Sequence, residues 1–361
     1  MKTLILNCFV TSLLLAGSNS LAGEQSSAHT AVDALRESSV AFLAALGPKL
    51  SQQATFSPDD DERRSWSNTP YPMFQRQGVS FGEMSADQRI HAHILLQSAL
   101  SSQGYLKATG IMQLDELLKD ILNPPPDGPV QLGHDLYWIS LFGNPAKDAV
   151  WGWQLDGHHL ALNISVVGND VSVRPAFMGA NPTIYPDGKF AGWNILFSED
   201  EKGMHLFESL NDAQRAKAII SNKSPEDLIA GPGKGDRLKE RQGLPASEMT
   251  QSQQRLLRQL IEEYAHNYRQ DIAHEQMQRI LGAGLEEIFF AWAGTGEAEP
   301  YYYRVHGPAV IIEFTNMYAP SETSGPINHI HTVFREPGND YAEDFLRKHL
   351  EESPHHNASA D

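Results

Sequence analysis

The sequence predicts an α+β protein with a largely antiparallel sheet that is built from hairpins and covered by helices. Three observations predict this class. Strand patterns occupy residues 135–177 and 287–335, helical patterns precede and separate them, and successive strands are joined by short turns. Strands joined by short turns pair antiparallel, whereas parallel neighbours need a long crossover connection.

The predicted helices are identified by amphipathic spacing and by residues that favour helix ends. The first helix begins near Thr30 and ends at Gly47-Pro48. The second begins after Ser85, which forms a capping-box pattern with Gln88. A third ends before Pro124–Pro129, the best candidate for an internal boundary. Further helices are predicted over residues 199–209, 212–220, 251–281 and 341–350.

The predicted strands are identified by alternation of apolar and polar residues. Asp156-Gly157 lies between two such segments, residues 149–155 and 158–167. This dipeptide is a strong signal for a two-residue hairpin turn. The sequence shows no internal repeat. The other strands are predicted over residues 135–142, 171–177, 287–293, 301–306, 310–317 and 327–335.

The N-terminus has the pattern of a secretory signal peptide. Lys2 precedes the apolar run Leu4–Leu15, and Ser20–Ala22 is a small-residue cleavage motif. The alternative, an uncleaved anchor, is disfavoured because the apolar run is too short to span a bilayer. We therefore predict a periplasmic or secreted protein. Its predicted parts are a signal peptide over residues 1–22, a single α+β domain over residues 23–352 with a candidate sub-boundary at 124–129, and a disordered tail over residues 353–361.

Composition limits the classes of function. The 361-residue chain has a formal net charge of −17, which argues against nucleic acid as a partner and favours a small-molecule or peptide-like substrate. No later apolar run is long enough for membrane insertion. The only cysteine, Cys8, lies in the predicted signal peptide, so a thiolate nucleophile and a disulfide framework are excluded from the mature chain. Any metal ion must be bound by histidine, carboxylate or carbonyl ligands.

The last predicted hairpin carries the strongest candidate site. Because side chains alternate along a strand, His329, His331 and Arg335 share one face. A turn centred near residue 322 places Glu313 opposite His331. Two imidazoles and a carboxylate on one wall form a ligand set for zinc, copper or iron. A one-residue change of register would remove the carboxylate.

His158 and His159, which follow the predicted Asp156-Gly157 turn, are a second source of metal ligands. The alternative interpretation is structural, because His158 shares a strand face with apolar residues. We predict that at least one of the two imidazoles joins the site.

Other residues are candidates for supporting roles. Arg335 or Arg304 is expected to bind an anionic group of the substrate, and Asp340 to orient a ligand from behind. The alternative for Asn339-Asp340 is a helix cap. The glycine-rich stretch Gly231–Gly243 is interpreted as a mobile loop, with a lid as its functional version.

Three motifs resemble those of a known family. They are the run Trp151–Asn163, the run Pro175–Pro182, and His329–Arg335 with Asn339–Tyr341. Over residues 30–350 the chain resembles domain of unknown function 3500, an uncharacterised family found largely in exported bacterial proteins. The resemblance implies one continuous family domain, and it implies no activity.

The favoured hypothesis from the sequence is an exported metal-dependent enzyme, a hydrolase rather than an oxidoreductase. In this hypothesis His329, His331 and Glu313, with His158 or His159, hold one divalent ion that activates water. Two alternatives stay open. One is a periplasmic metal-binding or ligand-binding protein without turnover, and the other is a protein with structural histidines that presents a surface to a partner.

Overall fold

The computed structural model describes residues 30–125, 127–235, 237–295, 299–318 and 327–352. The predicted signal peptide and the predicted C-terminal tail lie outside the described residues. Among the helices in these ranges, none is long and apolar enough to cross a membrane.

The described residues form one large, mostly antiparallel sheet with helices, which confirms the predicted α+β class. The strands are β1 (Thr55–Phe56), β2 (Val79–Ser80), β3 (Tyr137–Phe142), β4 (Val150–Gly157), β5 (Leu160–Val167), β6 (Asp170–Ser172), β7 (Ala176–Ala180), β8 (Ile219–Ser221), β9 (Leu244–Pro245), β10 (Phe289–Ala293), β11 (Tyr301–Gly307), β12 (Val310–Met317) and β13 (His329–Arg335). The helices are α1 (Ala31–Ala54), α2 (Ala86–Ala99), α3 (Ser102–Leu122), α4 (Phe197–Glu208), α5 (Asp212–Ala218), α6 (Gln251–Ala265), α7 (Gln270–Gly282) and α8 (Glu343–Glu352).

The central strands follow the order β3-β4-β5-β7-β13-β12-β11-β10, and each neighbour in this path is antiparallel. One face packs against the helices: Leu162, Phe314 and Phe334 belong to the same apolar cluster as side chains of α2, α3, α6 and α7. The opposite face carries most of the polar side chains discussed below. The candidate site lies on that second face.

Two largely irregular segments cover the polar face. We call residues 57–78 the first cover and residues 222–243 the second cover. Trp66 of the first cover and Leu228 of the second share a small apolar cluster with Phe177 and Val333 of the sheet. The covers therefore exclude water from the middle of this face.

The structure contains an internal repeat, so the expectation of none is wrong. The elements α1, β1, first cover, β2, α2, α3, β3, β4 and β5 recur in the same order as α5, β8, second cover, β9, α6, α7, β10, β11 and β12. β1 and β8 pair parallel with β3 and β10, and β2 and β9 pair antiparallel with the same two strands. The halves meet where β7 pairs antiparallel with β13, as in two copies related by a twofold rotation.

Little of this repeat is visible in the residues themselves. The segment Glu83-Met84-Ser85 in front of α2 recurs as Glu248-Met249-Thr250 in front of α6, and both helices begin with a capping box. The capping box predicted at Ser85 is thereby confirmed. Further identities are few, such as Gln88 with Gln253 and Gly157 with Gly307. The halves mainly share element order and the two-residue length of the hairpin turn, because a sheet needs only matching polarity and size.

Three local expectations were wrong, the last being the single helix predicted over residues 251–281, which is divided into α6 and α7. The Asp156-Gly157 dipeptide belongs to β4, and the hairpin turn is His158-His159, of which only His159 has a positive φ. The helix predicted to end at Gly47-Pro48 resumes beyond an irregular Gly47 and runs to Ala54. Strand pairing decides the first case, since Gly157 pairs directly with Leu160 and leaves two residues for the turn.

Candidate metal centre

Three histidines converge on the polar face of the sheet. His159 comes from the β4–β5 turn, and His329 and His331 come from β13. One ring nitrogen from each lies within 4.8 Å of the other two, and the Nε2 atoms of His159 and His329 are 2.8 Å apart. Tetrahedral zinc holds nitrogen ligands roughly 3.3 Å apart at bond lengths of about 2.0 Å. Small ring rotations therefore suffice to place an ion between them.

The backbone conformation of the β4–β5 turn directs the His159 ring toward His329 and His331. Its φ is 61°, a left-handed conformation that non-glycine residues rarely adopt. Its N–H donates to the Asn68 carbonyl at 3.3 Å, and its carbonyl accepts from Gly179 N–H at 2.7 Å. A Cβ at Gly179 would lie 3.1 Å from the His159 ring and 2.9 Å from the Ile330 carbonyl. The imidazole thus needs glycine beneath it.

Strand alternation places His329 and His331 on the same face, as predicted from the sequence. The predicted register was wrong, however, by two residues: His331 faces Thr315, and Glu313 faces Val333. Residues 318–328 connect β12 to β13, and a connection of this length gave no basis for predicting the centre of the hairpin. Glu313 is therefore on the expected face but lies two residues along β12 from Thr315, the residue that faces His331.

Asp227 of the second cover is the nearest carboxylate partner of the cluster. Its Oδ1 lies 2.8 Å from His331 Nδ1. With a proton on Nδ1, His331 donates to Asp227 and keeps Nε2 as its free lone pair. Nε2 is buried and has no hydrogen-bond partner. A carboxylate behind a ligating imidazole is the usual arrangement at metal sites.

Burial makes the imidazoles suitable as ligands. Burial, followed by the neighbouring imidazoles, lowers the pKa of His159 and of His329 well below the ordinary value. Both rings are therefore neutral near pH 7, which is the form that binds a metal. Burial is the largest single effect on Asp227 and raises its pKa, but the hydrogen bond and charge interaction with His331, the Leu228 N–H and Lys234 together lower the pKa below its ordinary value.

His158 stands behind the cluster rather than in it. Its ring stacks on His159 with centroids 3.8 Å apart, and its Nδ1 lies 2.6 Å from Asp115 Oδ1 of α3. The Tyr137 hydroxyl donates to the His158 carbonyl. These contacts hold the turn against α3 and fix the plane on which His159 rests.

The other predicted site residues, Glu313, Arg335 and Asp340, have partners outside the histidine cluster. Glu313 accepts hydrogen bonds from the backbone N–H groups of Ile229 and Ala230. Arg335 donates to the Ala230 carbonyl at 2.7 Å and to Asp340 at 2.5 Å. These side chains bind the second cover and the chain after β13. Within the described part of the chain, none of the three forms a hydrogen bond or ion pair with the imidazoles.

The alternative role of Asn339-Asp340 as a helix cap is divided between the two residues. Asn339 Oδ1 accepts from the Asp344 N–H in the first turn of α8. Asp340 instead bonds Arg335 and the Glu336 N–H. Arg304, the other predicted anion-binding residue, is buried two strands away from β13 and bonds Gln242 at 3.4 Å.

The sequence did not predict the two cover residues that meet the cluster. Asp227 and Asn68 lie in irregular segments with no periodic pattern, and Asn68 Nδ2 is 3.5 Å from His331 Nδ1. The sequence contains one weak indication of Asp227's position. Leu228–Ala230 is an apolar run in an otherwise polar loop, which indicates that the chain next to Asp227 is buried.

The chain belongs to the family described as protein of unknown function (DUF3500), whose profile matches residues 28–343. The resemblance stated from the sequence motifs is thereby confirmed. No match was found among curated proteins or among solved structures. The family description carries no activity, so the functional argument rests on the geometry of the histidine cluster.

Proposed function

We propose that this protein is a metal-dependent enzyme in which His159, His329 and His331 bind one divalent ion, and that the reaction is a hydrolysis. The observation that carries the proposal is the convergence of three buried imidazole nitrogens, of which His331 Nε2 has no other partner. A buried polar atom without a partner is costly unless something satisfies it. A metal ion would satisfy all three nitrogens at once.

The number of ligands favours catalysis. Catalytic zinc sites characteristically keep three protein ligands and one open position, whereas structural sites are saturated with four. An ion bound here would hold water in the open position, lower the pKa of that water and polarise a substrate oxygen. Asp227, whose side chain is 44% exposed, links the buried imidazoles to the solvent side of the second cover.

The expected substrate is small or peptide-like. The net charge of −17 disfavours polyanionic substrates, and the three histidines are buried. The proposed location is the periplasm or the extracellular space, on the basis of the N-terminal sequence pattern. The metal is zinc, copper or iron, all of which accept imidazole ligands.

Burial favours a second candidate, a metal-binding protein without turnover. The exposed fractions of His159, His329 and His331 are 4%, 6% and 6%. A site so enclosed suits an ion that is held or transported. The two candidates share the ligands and differ in whether substrate reaches the ion.

Metal analysis of the purified chain tests the shared part of both candidates. After loading with zinc, copper or iron and removal of excess metal, we expect about one ion per chain. His329→Ala removes a ligand and should abolish binding, while His274→Ala, which changes an exposed histidine of α7, should not. Failure of the wild-type chain to retain any of the three metals would refute the proposed site.

Turnover separates the enzyme from the metal-binding protein. The loaded chain is assayed on ester, peptide and phosphoester substrates, with the His329→Ala chain and a chelator-treated sample as controls. Hydrolysis that needs both metal and His329 supports the enzyme. A stoichiometric metal with no metal-dependent hydrolysis across the panel supports the second candidate instead.

A further inference from the structure

Glu313 and Arg335 hold a short piece of the second cover onto the sheet. The carboxylate of Glu313 accepts from Ile229 N–H at 3.0 Å and from Ala230 N–H at 2.7 Å. Arg335 donates to the carbonyls of Ala230 and Gly231 at 2.7 and 3.1 Å. Together they bind both the donors and the acceptors of this backbone. The segment is fixed although it has no strand or helix of its own.

This fixed piece, Ile229–Gly231, begins two residues after Asp227. The Asp227 carboxylate binds His331 Nδ1 and also accepts from its neighbour Leu228 N–H at 2.7 Å. The side chain is nearly half exposed, so burial alone does not hold it against the imidazole. The backbone that Glu313 binds lies two residues further along the chain.

The surroundings of Glu313 stabilise a buried carboxylate that binds backbone N–H groups. The carboxylate is fully buried, and it accepts a third hydrogen bond from the Tyr302 hydroxyl at 2.6 Å. Three donors compensate for the cost of burying a carboxylate. Ile229 N–H and Ala230 N–H bind different oxygens of the carboxylate, so in a glutamine held in this position one of them would face an NH2 group, which is a donor.

We infer that Glu313 is a positioning residue of the histidine cluster: by binding Ile229 and Ala230 it places Asp227, and Asp227 fixes the tautomer and orientation of His331. This inference rests on the proposed function for its catalytic meaning, but the chain of contacts is present without a metal. In this inference Glu313 acts on the metal site indirectly, through Asp227 and His331. The role differs from the direct metal ligand that the sequence suggested.

The test that does not depend on metal is the tautomer of His331 in the metal-free chain. Selective nitrogen-15 labelling of histidine and long-range proton–nitrogen NMR spectra report which ring nitrogen carries the proton. The His331 signal is assigned by its loss in His331→Gln. We expect the Nδ1–H tautomer in the wild type. Asp227→Asn and Glu313→Gln should both shift His331 toward a mixture of tautomers.

A matched control separates positioning from general destabilisation. Glu199 is also a buried carboxylate, but it binds Lys107 in the helix layer. Glu199→Gln should lower the melting temperature and leave the His331 signal unchanged. If Glu313→Gln leaves the His331 tautomer unchanged, or if Glu199→Gln alters it equally, the inference is wrong.

Metal release gives the second readout. In the zinc-loaded chain, release to a chelator should be about 10-fold faster for Glu313→Gln and for Asp227→Asn. Because Glu313 acts through Asp227, the double variant should release zinc no faster than Asp227→Asn alone. Multiplicative effects would contradict the inference. A wild-type chain that binds no metal would refute the proposed function. The tautomer measured by NMR would still decide whether Glu313 positions His331.

Discussion

The two halves of the molecule share a framework but differ at the positions that face the covers. The β4–β5 turn is His158-His159, and the equivalent β11–β12 turn is Pro308-Ala309. Beyond the turn, Thr315 faces His331, whereas the equivalent Ser165 faces Ser172. The cluster takes one imidazole from the turn of the first half and two from a strand of the second. A fold made of two similar halves can therefore form a single histidine cluster when each half supplies different side chains to the polar face near the β7–β13 pair.

A second contrast lies along the same face. Asp156 of β4 and His306 of β11 occupy equivalent positions, immediately before the last glycine of each strand. Asp156 forms an ion pair with Arg76 of the first cover at 2.9 Å, and burial raises its pKa to about 7. Burial, with Arg304 and Arg241 nearby, lowers the pKa of His306 to about 4. Equivalent positions thus carry groups that burial affects in opposite directions.

The largest expected effect comes from removing the turn ligand. His159→Gly deletes an imidazole, and glycine adopts the positive φ of this position without strain. We expect bound metal to fall from about one ion to below about 0.1 per chain, with the unfolding free energy of the metal-free chain changed by less than about 1 kcal/mol. Elemental analysis and urea unfolding measure the two quantities. Ala309→Gly in the equivalent turn is the control and should retain the metal; equal losses would show that the halves do not differ in this way.

The next effect concerns the cover of the second half. Asp227→Asn weakens the acceptor behind His331, so metal affinity should fall about 10- to 100-fold. Competition with a chromophoric chelator measures the dissociation constant. Asp170→Asn, an exposed change in the first half, should leave affinity unchanged. An unaltered affinity for Asp227→Asn would remove Asp227 from the site.

A pH dependence should distinguish the equivalent strand ends. The folded pKa of His306 is below its unfolded value of about 6.5, so the unfolded chain binds a proton that the folded chain does not. The stability that neutral His306 contributes is therefore present above pH 6.5 and lost as the pH falls toward 4. In the metal-free chain, His306→Gln should reduce the loss of unfolding free energy between pH 6.5 and 4 by about 2 kcal/mol. Parallel pH profiles for the two chains would contradict the assignment.

The smallest expected effect concerns the close contact of Gly179 in β7 with Ile330 of β13 and the His159 ring. Gly179→Ala places a Cβ against the Ile330 carbonyl and the His159 ring, which should cost about 1–2 kcal/mol. It should also weaken metal binding by tilting the ring. Gly282→Ala meets no atom within 4 Å and should not destabilise the chain. Thermal unfolding compares them, and equal melting temperatures would show that the ring can move freely.

The sequence predicts local features of this molecule well because their signals are local. The strand Val310–Met317 and the capping box at Ser85 follow from alternation and from a four-residue pattern. The face shared by His329 and His331 follows from the same alternation. The register between β12 and β13 could not be predicted in this way. It depends on where the connection between the two strands is centred, and the sequence carries no signal for that position. Asp227 also escapes prediction, since only the assembled sheet brings it to an imidazole 104 residues away.

The distance along the chain between His159 and His329 has a consequence for stability. They are 170 residues apart in sequence, and the unfolded chain has no preformed arrangement of them. An ion bound to both would join the two halves as a cross-link, in a predicted mature chain that contains no cysteine to form one. Since it binds only the folded state, it would raise the unfolding free energy by an amount that grows with free metal concentration, about 2.7 kcal/mol at 100 times the dissociation constant. The metal supply of the compartment would then set how firmly the two halves stay together.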